Sequence, residues 1–215
     1  LVTGTSEFSL FTAFDKRFAA SVSDSSLFKD ENLLKEFAYA ETYGSQLYRL
    51  SNTVESARIM TEHYNSPIYI SQISFGDDGT SAPTVAGLLG AFHGVFEPLL
   101  QTPSNYATFI GDDFESAGAK ELSKDFKAYL KQFLSTGDPD GEKIKKWEAW
   151  TASNQEVLSM DADLKKAKIE MSSDKETAED ILAKMEADAT LSTAIKDELN
   201  KTVLNGRWFS SVIDA

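Results

Sequence analysis

One short stretch constrains this chain more than any other: Ile68-Tyr69-Ile70-Ser71-Gln72-Ile73-Ser74-Phe75. It is β-branched and aromatic, and at its start it is apolar on both sides. That pattern predicts an interior strand of a sheet covered on both faces. Such a strand needs neighbours, yet most of the sequence carries the period of helices. Leu33, Leu34, Phe37 and Ala38 share one face, and Gly44 is placed to end their helix. Leu50, Val54, Ala57 and Thr61 mark a second helix over 46–64, stopped by Asn65-Ser66-Pro67. Leu122, Phe126, Tyr129, Leu130 and Phe133 form a third stripe, closed by a turn cluster at 135–141.

The tail from about residue 170 reads as acidic and helical. Ser173 and Glu176 fit a capping box, with stripes at Ile181, Leu182 and Met185, then at Leu191, Ile195, Leu199 and Val203. Trp208 and Phe209 are expected to dock the end of the chain. The class is therefore α/β, rich in helix, with few strands. Two or three isolated strands cannot hide their edges, so neighbours are expected outside this chain. The opening Leu1-Val2-Thr3, running into a Gly-Thr-Ser turn, reads as the last residues of a buried strand. The expectation is a piece of a longer polypeptide.

Charge and composition exclude several functions. The formal net charge is −13, which argues against nucleic-acid phosphate and anionic membrane surfaces as partners. No apolar run approaches the ~18–20 residues of a membrane span. There is no cysteine, hence no disulfide or thiolate metal site within the chain. Only two histidines occur, His63 and His93, too few for a multi-histidine metal centre.

Residues 80–112 have no convincing period and hold His93 in Gly90-Ala91-Phe92-His93-Gly94. Long irregular stretches inside a compact domain are uncommon and often functional. A histidine between glycines can have its ring presented by a backbone free to take unusual angles. His63, beside Glu62 and Tyr64 on a helix with no glycine around it, reads as a packed or merely solvated residue without a chemical role. Glu7 follows the strand end and turn, where open α/β sheets place their sites. A carboxylate after one strand and a histidine after a later one is the order of the last two members of a hydrolase triad.

These segments, in order, resemble the C-terminal part of the type-B carboxylesterases, the cholinesterase and lipase relatives among the α/β-hydrolases. Gly4-Thr5-Ser6-Glu7-Phe8-Ser9-Leu10-Phe11 resembles the family's acid segment. Pro67-Ile68-Tyr69-Ile70 and Phe75-Gly76 resemble its penultimate core strand and following turn. Gly90-Ala91-Phe92-His93-Gly94 with Pro98 resembles its histidine loop. Phe133 through Gly137-Asp138-Pro139 is similar to the helix and turn after that loop. Trp147-Glu148-Ala149-Trp150-Thr151 resembles its tryptophan motif, before a last strand at Val157-Leu158-Ser159-Met160.

The resemblance covers roughly 1–165 and implies the C-terminal portion of an α/β-hydrolase catalytic domain, with 166–215 as an acidic helical extension packing on it. It implies ester hydrolysis by a Ser-Glu-His triad without metal or organic cofactor. His93 would be the base and Glu7 its orienting acid, with Asp15 as the alternative acid. The nucleophile and oxyanion glycines would lie upstream, in the N-terminal remainder of the hydrolase. The partner implied is a small-molecule or lipid ester.

Glu115-Ser116-Ala117-Gly118 looks like a nucleophile elbow. It lacks the preceding strand and the glycine two before the serine, and it comes after His93, so Ser116 reads as a helix start. Asn200-Lys201-Thr202 is formally a glycosylation sequon, a pattern short enough to arise by chance. Two other readings stand beside the esterase. One is a non-catalytic binding or adhesion protein on the same scaffold. The other is an independent helical interaction domain with an acidic tail.

Overall fold

The computed structural model describes residues 31–76, 91, 94–101 and 113–204. Its architecture is helix-rich, with a small mixed sheet of three strands in the order β1-β2-β3. Strand β1 is Ser71–Ile73, β2 is Glu156–Ala162 and β3 is Ala167–Ser173. β1 runs parallel to β2, with Ser71 opposite Leu158 and Ile73 opposite Met160. β2 and β3 form an antiparallel hairpin that pairs Leu158 with Met171.

The predicted interior strand is shorter than its sequence suggests. Only three residues join the ladder, and Ile68 instead makes an isolated antiparallel bridge to Trp150. β3 is not legible as a strand in the sequence. Its residues 167–173 alternate half-buried and exposed, so the stretch from 170 is not helical from its start. Period-2 burial on a two-stranded edge gives a weaker signal than a fully apolar run.

Helix α1, Glu31–Tyr48, passes through a π-wound segment at Arg49–Val54 straight into α2, Glu55–His63. Gly44 is buried inside α1 and does not end it. The residues after Gly44 continue the helix because Leu47 extends the buried face. That face is Tyr39, Tyr43 and Leu47 at a spacing of four, while Ala38 is exposed. Helix α3 is Phe96–Leu100, and a 3-10 turn, Asp113–Glu115, leads into α4, Ala117–Thr136. Gly137 ends α4 at φ 78, in the left-handed conformation that glycine takes without strain. Helices α5, Ala178–Ala187, and α6, Thr193–Leu199, close the described chain with a π turn at Asn200–Leu204.

Two apolar clusters result. In the first, alternate β2 residues Leu158, Met160 and Ala162 meet Leu122 and Tyr129 of α4, with Phe75, Val95, Leu99 and Phe114. Full burial of side chains of this size contributes about 1.5–3 kcal/mol each. The second joins Tyr39 and Leu47 of α1 to Ile181 and Met185 of α5 and to Leu204. The Arg49–Asp174 charge pair, 3.0 Å apart, links the π-wound segment after α1 to the segment leaving β3.

The capping box of α5 is Thr177 with Asp180, four residues beyond the predicted serine, because Ser173 still belongs to β3. The Thr177 backbone N–H donates to Asp180 Oδ2 at 2.9 Å. That bond, then the Thr177 hydroxyl, holds the Asp180 carboxyl below its ordinary range. A lowered carboxylate stabilises the fold above its unfolded-state pKa, and this contribution is lost as pH falls through the folded value. Asp180→Asn is therefore expected to lower the melting temperature at pH 7, and the difference is expected to shrink as the pH falls through the folded-state value of the carboxyl. A melting difference that persists at the acid end would refute this assignment.

Candidate functional site

Strand β1 organises the chain on either side of the expected histidine loop. Its carboxyl end runs into Phe75, fully buried, and Gly76, whose φ of 99 needs a glycine. Phe75 stacks at a tilt on Phe114, with ring centroids 4.8 Å apart. The chain is next anchored at Gly94 and Val95, both buried, and at α3, where Leu99 is 1% exposed. Glu97 N–H donates to Gly94 O at 3.0 Å, and Ser123 Oγ donates to Leu99 O at 2.5 Å, which ties α3 to α4. Phe75, Val95 and Leu99 belong to one cluster. The segments on either side of 77–93 thus converge on the same apolar core.

His93, Glu7 and Asp15 themselves lie outside the described residues. His63 is exposed, in the last turn of α2.

Ser116 is the N-cap of α4. Its side chain accepts from Ala119 N–H at 3.1 Å, and the 3-10 turn at Asp113–Glu115 stands where an elbow would need a strand. Gly118, the glycine of the elbow-like sequence, has a different reason to be there. A Cβ at this position would stand 1.8 Å from Asp163 O and 2.9 Å from Lys166 O, in the β2–β3 turn.

The tryptophan segment closes the other end of the sheet. Trp147 Nε1 donates to Ile70 O at 3.1 Å, and Trp150 N donates to Ile68 O at 2.7 Å. Asp140 Oδ1 accepts from Trp147 N–H at 2.7 Å, so the turn after α4 sets the approach of this segment. Tyr129 packs edge-on against Trp147, centroids 5.5 Å apart, and donates to Lys145 O at 2.7 Å. Burial pushes its phenol up to about 12, so it serves as a donor and not as an acid at neutral pH.

Asn200, the first residue of the sequon, is half-buried in a π turn, where its Oδ1 accepts from Tyr39 OH at 3.3 Å. Its amide is part of the helical packing. No group of three or more histidine, cysteine, aspartate or glutamate side chains among the described residues is arranged to hold a metal ion. Among the described residues, no helix is long and apolar enough to cross a membrane.

Sequence reasoning missed one arrangement altogether, a cleft between the α1 rod and the sheet that Gln46 and Arg49 line. Neither residue carries a spacing signal that would have pointed to it. Comparison with protein-family models, with curated proteins and with solved structures finds no match to this chain.

Proposed function

We propose that this chain is the C-terminal part of a serine carboxylic ester hydrolase of the type-B carboxylesterase kind. Glu7 orients His93 through the imidazole Nδ1–H. His93 Nε2 takes the proton of an attacking serine, then returns it to the leaving alcohol. The carboxylate fixes the imidazole tautomer and stabilises the imidazolium formed on the way. The serine and the oxyanion donors belong to polypeptide upstream of Leu1. The chemistry needs no metal or organic cofactor.

The observation that carries this reading is the parallel pairing of β1 with β2 across a long connection that contains residue 93 and α4. Parallel strands need a crossover, and open α/β sheets set their sites at the carboxyl ends of such strands. The connection bearing His93 leaves β1 from that end. The ordered motifs of the sequence supply the rest of the support.

The test uses the chain's two histidines, whose ring resonances are separable by substituting His63. Glu7→Gln is expected to shift the His93 ring signals strongly and to leave those of His63 in place. Asp15→Asn is expected to move neither. If Glu7→Gln leaves the His93 ring untouched, the dyad is wrong. The chain alone is also expected to turn over no p-nitrophenyl ester, because it lacks the nucleophile. Serine-reagent-sensitive hydrolysis by the chain alone would contradict the proposed division of the triad.

A further inference from the structure

The cleft between the helical rod and the sheet has a volume of about 460 Å³, with Gln46, Arg49, Thr53, Trp150, Gln155 and Val157 on its walls. Ser71 and Gln72, which begin β1, also reach it, and Val157 stands near the start of β2. It therefore sits at the amino ends of the parallel pair, opposite to the end from which the chain runs on to His93. It is a separate site and does not rest on the esterase reading.

Three irregularities meet there. The rod is π-wound over Arg49–Val54, and Arg49, Thr53 and Val54 all line the cleft. π segments within long helices recur at functional sites. Gln155 is the non-glycine residue with positive φ among the described residues, at 49, a conformation that side chains seldom take. Gln46 Oε1 is buried and accepts no hydrogen bond. Arg49, beside it, is paired with Asp174, its Nη2 3.0 Å from Asp174 Oδ2. Each feature is unfavourable for folding alone, and buried polar atoms without partners are rare in native proteins.

We propose that this cleft binds a small neutral ligand through an amide group. Gln46 Oε1 needs a donor, and the N–H of a neutral amide is one. An anion meets Asp174 beside Arg49, and a cation meets the guanidinium itself. Glu176, also on the rim, is already paired with Lys184. Trp150, Ile70 and Val157 receive the alkyl part of the ligand. Gln46 Oε1 is shielded from water, so the Gln46 side chain turns as the ligand enters, a rotamer change common on binding.

The probe is N-butylacetamide, titrated into the isotope-labelled full chain. Butyl acetate, its isostere without the N–H, is the comparison. The amide is expected to shift the Gln46 side-chain and Trp150 indole resonances saturably, and the ester to bind at least about tenfold more weakly. Gln46→Met is expected to abolish those shifts and to raise the melting temperature, because it removes a buried acceptor that had no partner. Equal affinity for amide and ester overturns the proposal. So does the absence of saturable shifts, or a melting temperature that falls in Gln46→Met.

Discussion

Gly118→Ala is expected to cost about 3 kcal/mol of folding stability, and to lower the melting temperature by roughly 6–12 °C. The glycine lies in the first turn of α4, directly over the β2–β3 turn. The new methyl would stand 1.8 Å from Asp163 O, and that neighbour is backbone, so it cannot swing aside as a side chain would. Either α4 lifts from the hairpin or the hairpin turn deforms. Both disturb bonds that join the two elements: Gly118 N–H to Leu164 O at 3.4 Å, and Ala167 N–H to Glu121 Oε2 at 2.8 Å. The opposing gain in helix propensity is about 1 kcal/mol at most. Thermal or urea unfolding decides the matter. A neutral or stabilised variant would mean that α4 does not approach the turn this closely.

Lys196→Met is expected to cost about 3 kcal/mol, from charge-assisted hydrogen bonds worth ~1.5–3 kcal/mol each less the relief of a buried charge. The residue is 8% exposed. Its ammonium donates to three main-chain carbonyls that end α5: Met185 O at 2.9 Å, Glu186 O at 2.7 Å and Asp188 O at 2.8 Å. These are among the acceptors that a helix leaves without intrahelical donors, and a cation at that end also meets the helix dipole favourably. Methionine keeps the volume of the stem, so the loss measures the head group and not a cavity. Arginine is not expected to rescue, because a planar fork does not fit three converging carbonyls. Urea unfolding of the two variants checks both statements, and a methionine variant within about 1 kcal/mol of the native chain would refute the first.

The helices are legible wherever an apolar stripe runs for several turns, as in α4, with Leu122 and Tyr129 buried and Gly137 at its end. The sequence misplaces a stop at Gly44, because a glycine inside a helix and a glycine after one look alike until packing is known. Leu47, one turn on, decides which it is. β3 hides for a related reason. Its alternation is modest, and the acidic, helical residues beyond Ser173 mask it. The capping box is recognisable by type and misplaced by four residues, because β3 has claimed the serine. The proposed dyad of Glu7 and His93 rests on order and spacing in the sequence, and both residues lie outside the described ones. The cleft beside Arg49 leaves no such trace, since a π turn and the unpartnered Gln46 oxygen arise from packing and obey no local pattern.

The direction of the β1 hydrogen bonds has a consequence for handling the protein. Ile70 O accepts from Leu158 N–H and Ser74 N–H donates to Met160 O, so in this parallel ladder the main-chain groups of Ser71 and Ile73 point away from β2. Among the described residues no strand pairs with that edge of β1, and a rung of that kind accepts an extended backbone, including one from a second molecule. A net charge of −13 opposes such contact by mutual repulsion. Concentrated salt shrinks the range of that repulsion to a few ångströms, so high-salt precipitation or hydrophobic resins are expected to favour pairing of copies through this edge.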